Sequence, residues 1–209
     1  MRTWLAGLLV LAILLTGPLM KNAHARTIRL VALGDSLTAG YGLNPDESFT
    51  AVLQHQLRAR GFDVEIINMG ISGDTTAGGL SRVSQAIALK PDGVILELGA
   101  NDGLLGLKPN DIQANLEQII LQLRQAHIPV LLTGIRALPG MGRDDEFAAI
   151  FPRLAAKFQL SLYPFFLEGV TPSLSQPDGL HPNAQGVREI VRRILPTVEN
   201  FVGALPPHP

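Results

Sequence analysis

The chain has 209 residues, 46% hydrophobic and 17% charged, and its 17 basic and 18 acidic side chains leave a formal net charge of −1. No basic stripe is present to follow a phosphate backbone, and aromatic residues make up only 5%, so a nucleic acid is not an expected partner. Cysteine is absent, which excludes disulfides and lipid attachment through a thiol, so the fold must stand on its core alone.

The first element is a leader rather than part of the fold. A short basic start, Met1-Arg2-Thr3-Trp4, precedes an almost wholly apolar run over 5–20, and Lys21-Asn22-Ala23-His24-Ala25 ends it in an Ala-x-Ala pattern. This predicts a secretory signal peptide over 1–25, cleaved after Ala25, and an exported product that is periplasmic or secreted. An uncleaved anchor is the alternative, because the apolar run approaches the lower limit of about 17 residues for a spanning helix. Gly17-Pro18 and the Ala-His-Ala ending favour cleavage. Loss of Arg2 and Lys21, with no acidic residue, takes the net charge from −1 to −3. About 184 residues then remain, enough for one domain with a sizeable core. That domain is expected over 26–202, with 203–209 as a flexible tail. With no other long apolar run, no stable membrane insertion is expected of the mature chain, and it is expected to act as a monomer.

Strand-like apolar runs follow at 28–33, 64–68, 94–98, 130–133 and 160–163, each short and nearly unbroken, as strands buried on both faces are. Helix-period stripes alternate with them: Phe49, Val52, Leu53 and Leu57; Leu80, Val83 and Ile87; Ile112, Leu116, Ile119 and Leu123. Phe147, Ile150, Phe151, Leu154 and Phe158 form a fourth stripe, which Pro152 is expected to kink or break. The last stripe is Val187, Ile190, Val191 and Ile194. This alternation predicts an α/β domain of three layers, a five-stranded parallel sheet with helices on both faces. Ligands of such sheets sit beyond the carboxyl ends of the strands. Gly34-Asp35-Ser36, Gly70-Ile71-Ser72-Gly73-Asp74 and Gly99-Ala100-Asn101-Asp102 follow the first three strands and so converge on one edge. The irregular stretch over 165–180 leads to Asp178 and His181, just before the last helix, where it can reach that edge.

A serine alcohol is a poor nucleophile until an imidazole takes its proton and a carboxylate holds that imidazole in the right tautomer. Ser36 stands on the turn after the first strand, although Gly-Asp-Ser is also a common helix or turn cap there. Neither a Gly-x-Ser-x-Gly elbow nor a phosphate loop is present. Of five histidines, only His181 has a nearby acid in a loop flanked by proline and glycine. Its three-residue offset lets Asp178 accept the Nδ1 proton while Nε2 faces outward; a metal pair or an Asx turn are the other readings of Asp-x-x-His. Acyl transfer also needs donors aimed at the developing oxyanion. Gly73 offers a backbone N–H without a Cβ in the way, and Asn101 a side-chain amide, though both also suit ordinary turns.

Gly34-Asp35-Ser36-Leu37, Gly73, Gly99-Ala100-Asn101-Asp102 and Asp178-Gly179-Leu180-His181 together resemble the four ordered blocks of the SGNH-hydrolase, or GDSL-lipase, family. The stretches 71–75, 97–104 and 163–166 resemble its small exported bacterial acyl-CoA thioesterases, arylesterases and lysophospholipases. The resemblance implies a flavodoxin-like sheet and no metal or organic cofactor. It implies Ser36 as nucleophile, His181 as base, Asp178 as its orienter, and an oxyanion hole of Ser36 N–H, Gly73 N–H and the Asn101 side chain. Asp35 and Asp102 belong to the pattern as well, with no role beyond fixing their turns. The match is looser at Leu138-Pro139-Gly140-Met141-Gly142, where the subgroup has a mobile substrate loop.

The expected activity is a serine ester hydrolase acting on a small ester or thioester through an acyl-enzyme. Leu104, Leu105, Leu107, Leu138, Pro139, Met141 and Phe166 are the candidates for a groove that holds an acyl or aryl group. A carbohydrate O-deacetylase is the closest alternative. A metal-dependent phosphoesterase is another, built on Asp35, Asp74, Asp102, Asp178 and His181. A non-catalytic exported binding protein that keeps the fold is the third.

Overall fold

Each of the five apolar runs forms a strand in the computed structural model, which describes residues 26–136 and 144–206. The expected leader and the candidates Leu138, Pro139 and Met141 lie outside the described residues. In chain order the elements are β1 (Ile28–Gly34), α1 (Ser36–Ala39), α2 (Phe49–Ala59), β2 (Val64–Gly70), α3 (Thr76–Ala88), β3 (Gly93–Glu97), α4 (Ala100–Leu104) and α5 (Pro109–Gln125). They continue with β4 (Val130–Thr133), α6 (Asp144–Ala148), α7 (Ile150–Phe158), β5 (Ser161–Tyr163) and α8 (Ala184–Gly203).

The sheet is parallel throughout, in the order β2-β1-β3-β4-β5, which is the flavodoxin-like order. The chain steps one way from β1 to β2 and the other way from β2 to β5. Right-handed crossovers therefore place α2 on one face and α3, α5 and α7 on the other. The closing helix α8 returns to pack against α2. Leu30, Val31 and Leu33 of β1 and Val94, Ile95 and Leu96 of β3 are fully buried, because helices cover both faces of the central strands. The strand order reverses between β1 and β3, which opens a crevice at their carboxyl ends.

Two helices depart from the expected stripes for identifiable reasons. The fourth stripe breaks at Ala149 into α6 and α7, three residues before Pro152. Proline lacks the N–H and crowds the carbonyl four residues back, so it is tolerated only in the first turn of α7. The last helix runs through Pro196 to Gly203, beyond the expected boundary at 202. Val198, Phe201 and Val202 extend its buried face, and Leu205 packs against the core after it. That apolar burial offsets the hydrogen bond lost at Pro196.

Candidate active site

Ser36 opens α1 immediately beyond β1, at the crevice between β1 and β3. Asp35 caps that short helix, its Oδ1 accepting the Leu37 N–H at 3.0 Å. The turn is tight enough to demand glycine before it. A Cβ on Gly34 would stand 2.0 Å from Thr38 Oγ1 and 2.8 Å from the Glu97 carbonyl. The Ser36 side chain is nearly buried, at 7% exposure, and faces a cavity rather than bulk water.

His181 arrives from the opposite end of the chain. Its Nε2 lies 2.9 Å from Ser36 Oγ, and its Nδ1 lies 2.7 Å from Asp178 Oδ2. The Asp178 Oδ1 meanwhile accepts the backbone N–H groups of Leu180 at 2.9 Å and His181 at 3.0 Å. The His181 backbone N–H, then its ring, then the Leu180 N–H hold the Asp178 carboxyl down at about 2. The acid thus stays ionised at neutral pH and accepts the Nδ1 proton, which leaves Nε2 free to accept from the serine hydroxyl. The loop is pinned by Gln176. Its Nε2 donates to the Tyr41 carbonyl at 2.7 Å and the Pro182 carbonyl at 3.0 Å, and its backbone N–H to the His181 carbonyl at 2.7 Å. The Tyr41 ring lies 4.6 Å from the imidazole, centroid to centroid.

Asn101 enters from α4, just beyond β3. Its Nδ2 donates to Asp35 Oδ2 at 3.1 Å and to the Asp74 carbonyl at 2.8 Å. Two acceptors around one nitrogen fix which way the amide points. Asn101 thereby ties the residue before Ser36 to the residue after Gly73. Gly73 takes φ +82°, a region that side chains disfavour, yet a Cβ there would meet nothing within 4 Å. Glycine is therefore needed there for the backbone angle.

Ser36, Asn101 and His181 line a cavity of ≈130 Å³ together with Leu37, Ala100, Leu104, Ile135, Leu167 and Leu180. Leu104, Leu105 and Leu107 are all exposed, and of the three Leu104 lines the cavity. Phe166 requires a correction. It is wholly buried, packed edge-on against Phe49 with ring centroids 4.9 Å apart, and its neighbour Leu167 reaches the cavity instead. Leu37, Ile135 and Leu167 were missed because each reads simply as core.

Three further residues carry the architecture beneath the site. Buried Arg82 of α3 donates to Asp74 Oδ2 at 2.7 Å, the Met69 carbonyl at 2.6 Å and the Gly34 carbonyl at 2.8 Å, binding two strand ends to one turn. Asp102 accepts Thr76 N–H at 2.9 Å and Thr76 Oγ1 at 2.5 Å, holding the start of α3. Glu97, fully buried, accepts from Thr38 Oγ1 at 2.8 Å and from Asp35 N–H at 3.4 Å. Burial lifts Asp35 to about 6 and, with the charge of Asp35 beside it, raises Glu97 well above the ordinary carboxyl range. The five groups of the metal reading are thus committed elsewhere: Asp35 to Leu37 and Asn101, Asp74 to Arg82, Asp102 to Thr76, and Asp178 to His181. Among the described residues, no three acidic or histidine side chains converge as metal ligands.

The arrangement has close relatives. The family described as GDSL-like Lipase/Acylhydrolase matches residues 32–189. Esterase TesA of Pseudomonas aeruginosa is 38% identical over 200 residues, spanning 93% of this chain and 96% of that protein. A crystal structure of TesA superposes with a TM-score of 0.79 at 37% identity, covering 83% of this chain and 99% of that one. An arylesterase of Vibrio mimicus is 43% identical over 171 residues, 79% of this chain and 86% of that protein. Thioesterase 1/protease 1/lysophospholipase L1 of Escherichia coli K12 is 38% identical over 159 residues, 74% and 75% of the two chains. With sequence and fold agreeing over most of its length, the chain belongs to the GDSL-like lipase/acylhydrolase family and is a hydrolase of carboxylic esters.

Proposed function

We propose that Ser36 is the nucleophile, His181 the general base and Asp178 the group that orients it. One observation carries this: an unbroken hydrogen-bonded chain from Ser36 Oγ through both ring nitrogens to the Asp178 carboxylate, at 2.9 and 2.7 Å. His181 Nε2 takes the hydroxyl proton as Ser36 Oγ attacks the ester carbonyl. The negative charge moves to the former carbonyl oxygen, which Ser36 N–H, Gly73 N–H and the Asn101 amide receive. Both acceptors of Asn101 Nδ2 are already in place, so the oxyanion shares an N–H with one of them. The imidazolium then gives its proton to the leaving oxygen or sulfur, and the acyl group stays on Ser36. Water, deprotonated by His181, attacks that ester and frees the acid.

The apolar walls from Leu37, Ala100, Ile135 and Leu167 suit a short acyl or aryl group better than a sugar. Aryl esters, thioesters and lysophospholipids, whose leaving groups are a phenol, a thiol and a glycerophospho-alcohol, are all compatible with what the relatives are named for. The chain is exported, with 1–25 removed as a leader and the catalytic domain running from 26 through the last helix to Leu205. All the proposed site residues come from one chain, so a single copy suffices. Sequencing the N-terminus of the exported protein checks the cleavage at Ala25.

The decisive test is Ser36→Ala on a p-nitrophenyl ester. We expect kcat to fall about 10⁶-fold with the fold intact, as for loss of the nucleophile of a triad. Retention of most of the activity would end the proposal. A series of oxygen and thiol esters of increasing chain length, run beside an acetylated sugar, defines the substrate.

A further inference from the structure

Two carboxyl groups lie together directly beneath the serine. Asp35 and Glu97 are both at 0% exposure at the ends of neighbouring strands, and the Asp35 backbone N–H reaches Glu97 Oε2 at 3.4 Å. Glu97 Oε2 has the Thr38 hydroxyl and the long Asp35 N–H contact, while its Oε1 is buried with no hydrogen-bond partner. An ionised carboxylate in a dry setting needs donors at both oxygens, and two adjacent carboxylates there cannot both stay charged. Asp35 is the better supplied, receiving Leu37 N–H on one oxygen and the Asn101 amide on the other.

The surrounding charges do not remove the conflict. Arg82, from α3, spends its guanidinium on Asp74 and on the carbonyls of Met69 and Gly34. Asp102, from α4, adds a further negative charge while held by Thr76; His181 faces Asp35 from the loop before α8. From α1 only the Thr38 hydroxyl reaches Glu97.

We propose that Glu97 and Asp35 share a single proton, carried by Glu97, and that Glu97 is thereby a positioning residue for ester cleavage. Its neutral acid lets Asp35 remain the acceptor that aims the Asn101 amide and caps the Ser36 turn. If the proton leaves, Asp35 is pushed from its partners and the oxyanion hole loses its aim. This rests on the role proposed above for Ser36 and Asn101. Burial of both groups, which raises each of them above the ordinary range, agrees with it.

The test uses the full enzyme in two measurements. Infrared spectra at about pH 8, where ordinary carboxyls are ionised, should show the C=O stretch of one protonated carboxyl. That band should vanish in Glu97→Gln. Its absence from the parent enzyme overturns the shared proton, whatever the role of Ser36. The second measurement is kcat per active site, titrated with a fluorophosphonate so that misfolded molecules are not counted. Glu97→Gln, neutral and of the same shape, should keep kcat within about 3-fold. Glu97→Leu should lose about 10- to 100-fold in kcat with KM little changed, as expected when an oxyanion donor is misplaced rather than removed. Equal kcat per site in Glu97→Leu and the parent would reduce Glu97 to a packing residue. A Glu97→Gln enzyme as slow as Glu97→Leu would also refute the proposal. Failure of Ser36→Ala to inactivate would instead sink the underlying site assignment and leave the infrared result standing.

Discussion

The two halves of the candidate site are built in opposite ways. The Ser36 half sits on the ends of β1 and β3, and its supports Asp35, Glu97 and Asp102 are all at 0% exposure. Arg82 stitches β1, β2 and the Gly73 turn together from below. The His181 half is a surface loop. Asp178 is 37% exposed at its side chain, and the segment is held by its own short-range hydrogen bonds and by Gln176. The sheet therefore supplies precision to the nucleophile and the oxyanion donors. A loop that gains little from burial supplies the base. Damage to the buried supports of the first half should cost stability whatever it does to the rate, and damage to the second should cost mainly rate.

Arg82→Met gives the largest expected effect. It leaves the Asp74 carboxylate partly buried without its cation and removes donors from two strand-end carbonyls, so unfolding should become easier by about 3–5 kcal/mol. Urea denaturation measures this, and a loss under about 1 kcal/mol would show that the nucleophile half does not depend on its buried charges. Gln176→Ala is the matching cut in the other half. It frees the loop from the Tyr41 and Pro182 carbonyls, and we expect kcat to fall about tenfold, in line with a small misplacement of the base. Its melting temperature should stay within about 2 °C of the parent, since a solvated hydrogen bond contributes little. If Gln176→Ala destabilised the protein as much as Arg82→Met, the contrast between the halves would fail.

The smallest effect is a change of slope with pH. Asp178 is held at about 2, below the ordinary value near 3.9 that it has when unfolded. Between those values the unfolded chain binds more protons, so the stability Asp178 contributes is present above about pH 4 and fades toward pH 2. Its exposure keeps the size small. Unfolding followed at pH 5, 4 and 3 should show a shallower acid loss in Asp178→Asn than in the parent. Identical slopes would mean that the Leu180 and His181 donors do not grip the carboxylate in solution.

Much of this was legible from residue types and spacing alone. Strands buried on both faces are continuously apolar, and covering helices carry stripes every three or four residues, so five strands and their alternation could be read directly. The Asp178–His181 pair was readable for the same kind of reason. Its contact spans three residues, and local backbone geometry fixes it. Pro152 likewise announced a break whose place, Ala149, follows from the clash one turn earlier.

What escaped reading shares one physical cause. Glu97 ends an apolar strand and Arg82 lies in an amphipathic helix, and neither residue type nor spacing says that these two charges are the buried ones. They are buried because a second element, α1 for Glu97 and the ends of β1 and β2 for Arg82, supplies their partners across long stretches of chain. Phe166 and Leu167 make the point within one dipeptide. Both are apolar loop residues, but adjacent side chains point different ways, so one met Phe49 in the core and the other the cavity. Periodicity settles which side of an element is apolar, and motifs settle which chemistry is available. The meeting of Ser36 with His181, 145 residues apart, depends on the path of the whole sheet, as does the choice of which acids lose their water.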